Sequence, residues 1–168
     1  MVYRRRRILL SEIDRQCRFA MIAYGDACSA LEKRDAERCW YALQGLLAAG
    51  MQLNRLLWPP PGGSDWAVGL RGVLEVPDDS PLNLPGLASA LDITPTIETW
   101  SPPRAGQSGF SSGGLIDAAP AECLRCFDPE SGAFTLFGHV VELPPLLNAI
   151  ADLGTKAEQE QQHLREVI

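Results

Sequence analysis

Apolar and small residues recur three and four apart through the first third of the chain. They fall at Leu10, Ile13, Cys17, Ala20, Tyr24, Ala27 and Leu31, then at Ala36, Cys39, Leu43, Leu46, Gly50, Leu53 and Leu57. That alternation puts one narrow stripe along one face of each of two helices, within Leu10 to Trp58. Between the stripes lies EKRDAE, where Asp35 suits a helix start and Lys33 and Arg34 suit the end of the helix before it. So short a polar break predicts an antiparallel return.

LLWPPPGGS ends the second helix, because three prolines cannot continue it and two glycines release the backbone into a turn. Ser64 or Asp65 can cap a short helix, DWAVGLRGVL, with Trp66, Leu70 and Val73 or Leu74 on one side. VPDDSP is a break, and LNLPGLASALDITPTIETW divides into two short helical pieces at Pro85 and Pro95. Residues 101–120 are rich in Ser, Gly, Pro and Ala without a period, which predicts a long flexible loop. The period then becomes two. ECLRCF, the turn DPESG and AFTLFGHVVEL predict a β-hairpin packed on one side, with a further reversal at Gly138. The last helix carries Leu143, Leu146, Ile150, Leu153 and Ala157 as its stripe, with Pro144 and Pro145 in the first turn. Leu164 and Ile168 mark the same face beyond. The fold class is therefore mainly α: an up-down helical bundle with a long N-terminal antiparallel helix pair, short central helices and a small β-hairpin before the C-terminal helix. Residues 1–168 form a single domain.

The 168 residues, 46% hydrophobic and 21% charged, are enough for a substantial core. No apolar run approaches the roughly 20 residues of a membrane span. MVYRRRRILLSEIDR is too briefly apolar for a secretory signal, so a cytoplasmic protein is expected. The net charge of −6 conceals an asymmetry: residues 1–58 hold ten Lys/Arg against six Asp/Glu, and residues 59–168 hold five against fifteen. An acidic chain is a poor coat for nucleic acid. Arg4 to Arg7 read as a solvated basic end before a helix.

Five cysteines are an odd count for a disulfide framework. Cys17 and Cys39 lie on the stripes as small core residues. Cys28 and Cys39 stand at equal distance from the hairpin turn, where a bridge is conceivable and reduced thiols are expected.

Candidate chemistry is sparse. Cys123 and Cys126 form a CxxC, the start of a metal site or a redox pair. The remaining histidines, His139 and His163, lie on different elements, and residues three apart in a strand face opposite ways, so two structural thiols explain the motif better. Neither histidine has a Ser, Cys or Asp partner at a catalytic spacing. Lys156 and His163, seven apart, share one face of the last helix as the alternative catalytic pair, against a solvated face. Asp78 and Asp79 suit a turn, and GQSGFSSGG lacks the lysine of a phosphate loop. No cofactor is implied. Trp40, Trp58, Trp66 and Trp100 are read as sealing the ends of the bundle.

In order, the opening helix pair, LNRLLWP, the short helix leading to VPDDSPL, the segment ending in Trp100, CLRCFDPESGAFTLFGHVVELPPL and the last helix resemble the HEPN-like helical bundles. That resemblance implies a metal-independent, dimeric ribonuclease in a defence or toxin–antitoxin-type system. Its signature is an Arg and a polar residue, then a His four to six residues on. The stretch Leu84 to Trp100, where the resemblance places the signature, contains neither Arg nor His. No arginine stands at the required distance before His139 or His163; only Lys156 does. The expected product is a degenerate member that pairs with itself or with another protein, with RNA as the alternative partner and no membrane contact.

Overall fold

Helices α1 (Tyr3–Glu32) and α2 (Ala36–Leu57) pack together as the expected hairpin. The computed structural model describes residues 3–59, 65–83, 125–128, 130–136 and 139–166. The expected central helical pieces from Leu84 to Trp100 and the 101–120 loop lie outside the described residues.

The turn between α1 and α2 is built from three residues. Arg34 adopts a left-handed φ of 55°. Its N–H donates to the Leu31 carbonyl and that of Asp35 to the Ala30 carbonyl, both at 2.9 Å, the paired bonds of a Schellman ending. Asp35 then turns to the next helix, its carboxylate accepting the Arg38 N–H at 3.1 Å. One residue thus closes α1 and caps α2. A side chain with a β-carbon is strained in the left-handed region by about 1–2 kcal/mol, and glycine is not. Arg34→Gly is accordingly expected to stabilise the protein by about 0.5–1 kcal/mol, after the added freedom of glycine in the unfolded chain. An upward shift of the thermal midpoint checks this; a downward shift would show that the turn needs the arginine side chain.

Small residues line the seam between the two helices. A β-carbon added to Gly45 of α2 would lie 3.6 Å from that of Ala23 on α1. Leu10, Ile13, Cys17, Ala20, Ala27 and Ala30 are buried along α1. Tyr24, expected in that stripe, sits at its rim instead, its hydroxyl hydrogen-bonded with the Cys28 thiol. Ala23, one position earlier, packs against the core in its place. Along α2 the buried face is broader, running from Cys39 and Ala42 to Leu53, Asn54 and Leu57.

Helix α3 (Asp65–Val73) follows, and Glu75 at φ 49° ends it with the same pair of bonds, to Gly72 and Arg71. Arg71 ties this region together. Its guanidinium donates to the Leu57 carbonyl at 2.5 Å, lies over the Trp58 ring at 5.4 Å and reaches Asp78 at 3.4 Å. The turn beyond is held to α2 by buried Asn54, whose side-chain amide donates to the Leu82 carbonyl at 2.9 Å.

Three short strands, β1 (Arg125–Asp128), β2 (Ala133–Leu136) and β3 (His139–Glu142), form an antiparallel sheet in the order β1-β2-β3. The expected hairpin therefore gains a third strand, and Gly138, where a further reversal is expected, lies outside the described residues. Phe127, Phe134 and Val141 lie in one cross-strand row and are all buried. Phe134 meets the Trp40 ring of α2 edge-on, with centroids 5.8 Å apart. Thr135 is also buried, so β2 is covered on both faces, a correction to the one-sided ribbon expected.

In the first hairpin, Asp128 accepts the Glu130 N–H at 2.9 Å and the Ser131 hydroxyl at 2.5 Å. The hydroxyl first, and the amide second, hold that carboxylate below its usual range. Gly132, at φ 70°, accepts the Leu143 N–H, and an added β-carbon would strike the Pro144 ring at 3.0 Å. Strand β3 runs without a loop into α4 (Leu143–Glu166). Helix α4 lies along α1 so closely that a β-carbon on Gly154 would sit 3.3 Å from that of Cys17. Among the described residues, no helix is long and apolar enough to cross a membrane.

Candidate functional site

Lys156 and His163 do share a cleft. They line a depression of about 300 Å³ with Val73, Glu75, Gln159 and Glu160, where the end of α3 meets α4. The helical spacing of seven residues brings both side chains to it, and the left-handed turn at Glu75 supplies the opposite wall.

The charge of that cleft decides what it can do. The Lys156 ammonium is 2.9 Å from Asp152 and 3.8 Å from the Glu75 carboxylate, and donates to the Glu75 carbonyl at 3.4 Å. Glu160 is bound in turn by the Arg6 guanidinium. The one ammonium in the cleft is thus surrounded by carboxylates, while His163 is exposed. A phosphodiester entering here meets acid first, and a cation already neutralised stabilises little developing negative charge.

The basic end is solvated at Arg4, Arg5 and Arg7, as expected, and Arg6 is the exception. Arg6 is paired with Glu160 of α4, and the Arg5 guanidinium lies over the Trp66 ring at 5.3 Å. Arg4 and Arg7 are exposed. Trp40, Trp58 and Trp66 are half-buried against the core; Trp100 lies outside the described residues.

Cys123 also lies outside the described residues. Cys126 is in β1, in register with Thr135, and His139 begins β3 opposite Leu136, so the two occupy the outer strands of the sheet. Among the described residues, no three His, Cys, Asp or Glu groups are placed to hold a metal ion. Cys17, Cys28 and Cys39 are free thiols. Burial, with Asp14 adding to it, pushes the Cys17 thiol up to about 12, and burial followed by the nearby Cys28 raises Cys39. Such thiols remain protonated near neutral pH and are poor nucleophiles.

A different surface stands out for its composition. Ile8, Phe19 and Ile22 of α1 are 61%, 52% and 61% exposed, and Tyr41 of α2 is 80% exposed. Ile8, Phe19 and Ile22 lie on one stripe of α1 with Arg15 and Asp26, about 140° around the helix from its buried stripe. Next to it, α2 exposes Tyr41, Gly45 and Ala48, whose small members leave the α1 side chains standing proud. Asp26 and Tyr41 both line a cleft of about 830 Å³ at the turn end of the hairpin, bordered by Lys33 and Arg38. Scattered exposed apolar residues such as Val68 and Val140 are ordinary on a protein surface; a line of three large ones along one stripe is less so. A second, offset apolar periodicity in α1 was the signal for this face, hidden beneath the stronger core stripe.

No family model, curated protein or solved structure matches the chain significantly.

Proposed function

We propose that this protein is a non-catalytic, HEPN-like helical module of the cytoplasm whose work is contact with another protein chain, made through the outer face of α1 and α2. The observation that carries this reading is the stripe of exposed Phe19 and Ile22 beside Tyr41, running into the cleft at the hairpin turn. Large apolar side chains held in line by a rigid, well-packed helix pair are pre-organised for association. The architecture adds support, since a bundle with a small sheet before its last helix is what the resemblance implies.

The second reading is a metal-independent ribonuclease using Lys156 and His163, favoured by the cleft those residues share. The carboxylates around Lys156 weigh against it. Incubating the full chain with end-labelled single-stranded and hairpin RNA, with and without chelator, separates the two. Intact RNA is expected. Cleavage that disappears in Lys156→Ala and His163→Ala would replace the contact reading with the catalytic one.

A further inference from the structure

We infer that the shallow groove between the outer stripe of α1 and the small residues of α2 receives an acidic amphipathic helix of a different protein, its apolar face on Phe19, Ile22 and Tyr41 and its carboxylates on Arg15 and Arg55. The inference rests on the reading of this face as a protein-contact surface and adds to it the chemistry of the partner.

The groove follows from residue size. Gly45 and Ala48 are exposed on α2 and offer little side chain, while Phe19 and Ile22 stand beside them as a wall on α1. A β-carbon on Gly45 would lie 3.6 Å from that of Ala23, which sets those two positions opposite one another. Counted antiparallel from that pair, Ala48 comes level with Ala20, Tyr41 with Ala27 and Arg55 with Ile13. Tyr41 thus stands at one end of the groove, and Arg55, within a turn of Arg15, at the other, about 21 Å away along α2. That is roughly four helical turns, a trough suited to the apolar face of one helix. A flat lipid surface would leave it unfilled.

Charge then names the partner. From Arg4 to Gly25 every exposed charged side chain of α1 is an arginine, and α2 carries no Asp or Glu beyond Glu37. From Asp65 onward, among the described residues, exposed carboxylates outnumber exposed Lys and Arg ten to one, so an acidic helix is drawn to the α1–α2 face and turned away from the remaining surface. A nucleic acid is acidic too, but it brings no aliphatic strip to cover Ile22.

The two arginines are available for such a pairing. Arg15 makes only a loose contact to Glu12, at 3.4 Å on the surface, and Arg55 forms no salt bridge among the described residues. Arg18, by contrast, is held by Asp14 one helical turn back. Asp26 shares its cleft with Tyr41 and repels carboxylates from that end, so the acidic turns of the partner lie toward Arg15. So short a contact belongs with the small, transient interfaces, and weak binding that salt loosens is expected.

Fluorescence anisotropy of the full chain with a labelled synthetic helix of about 16 residues reads the result. The probe carries leucines along one face and glutamates in its first two turns; a control carries lysines in place of those glutamates. The wild type is expected to bind the glutamate peptide at least about tenfold more tightly than the lysine peptide, and less tightly as salt rises. Arg15→Glu combined with Arg55→Glu should invert that preference. Ile22→Ser should weaken binding by a similar factor with an unchanged thermal midpoint, as the side chain is exposed. No binding of the glutamate peptide by the wild type would overturn the inference, and so would a lowered midpoint in Ile22→Ser, which would give the face to the chain's own residues. Binding of phosphatidylserine vesicles or single-stranded RNA in place of the peptide, lost in the double variant, would overturn it in favour of lipid or RNA. Peptide binding indifferent to charge would keep this face as a contact surface and reject only the acidic partner. RNA cleavage would sink the underlying reading in a separate assay, so the two failures are told apart.

Discussion

Phe134→Ala is expected to be the most damaging single truncation considered, destabilising the protein by about 3–5 kcal/mol. The side chain is 1% exposed at the centre of the three-stranded sheet, between Phe127 and Val141, and touches Trp40 edge-on. Truncation removes a large buried area, the aromatic contact and the main wedge between sheet and α2. The short strands cannot collapse into the space, because β3 passes directly into α4 and Gly132 is held to Leu143. For a chain of this length the change corresponds to a fall of about 10 °C in thermal midpoint. Urea unfolding followed by tryptophan fluorescence measures it, and Phe134→Leu should recover more than half of the loss. A cost for the alanine variant below about 1 kcal/mol would mean that the sheet does not rest on α2 as described.

The second largest effect is expected at Asn54. Its amide reaches from the middle of the buried face of α2 to the Leu82 carbonyl, and both residues are buried. Asn54→Ala leaves that carbonyl without its donor and opens a small cavity, which together cost about 2–3 kcal/mol. Asn54→Leu fills the volume but not the bond, so it should still cost about 1–2 kcal/mol. The bond also anchors the turn from Pro77 to Asn83, and hydrogen exchange at Ser80 and Asn83 should accelerate in both variants. Unchanged exchange there, with unchanged stability, would show that the turn is held by Leu82 burial and Arg71 alone.

The candidate site was legible in part. The spacing of Lys156 and His163 along a helix placed them on one face, and they line one cleft. Their chemistry was not legible, because Glu75, 81 positions before Lys156, supplies much of the surrounding charge. Arg6 illustrates the same point across 154 positions: in the sequence it is one of four adjacent arginines, and in the fold it is the partner of Glu160.

The run of local elements is readable from the residues alone. The stripes of Leu10, Ile13 and Cys17 and of Leu43, Leu46 and Leu53, the cap at Asp35, the change to period two and the final stripe through Leu153 all act over a few residues. Helical and strand periodicity therefore encodes them directly. Long-range packing gives the place of Tyr24 to Ala23, covers Thr135 on the second face of β2, and pairs Arg6 with Glu160. It likewise left Phe19, Ile22 and Tyr41 outside the core. Burial and charge pairing depend on which elements come to lie side by side. That is settled by packing between residues far apart in the chain, which no local period records.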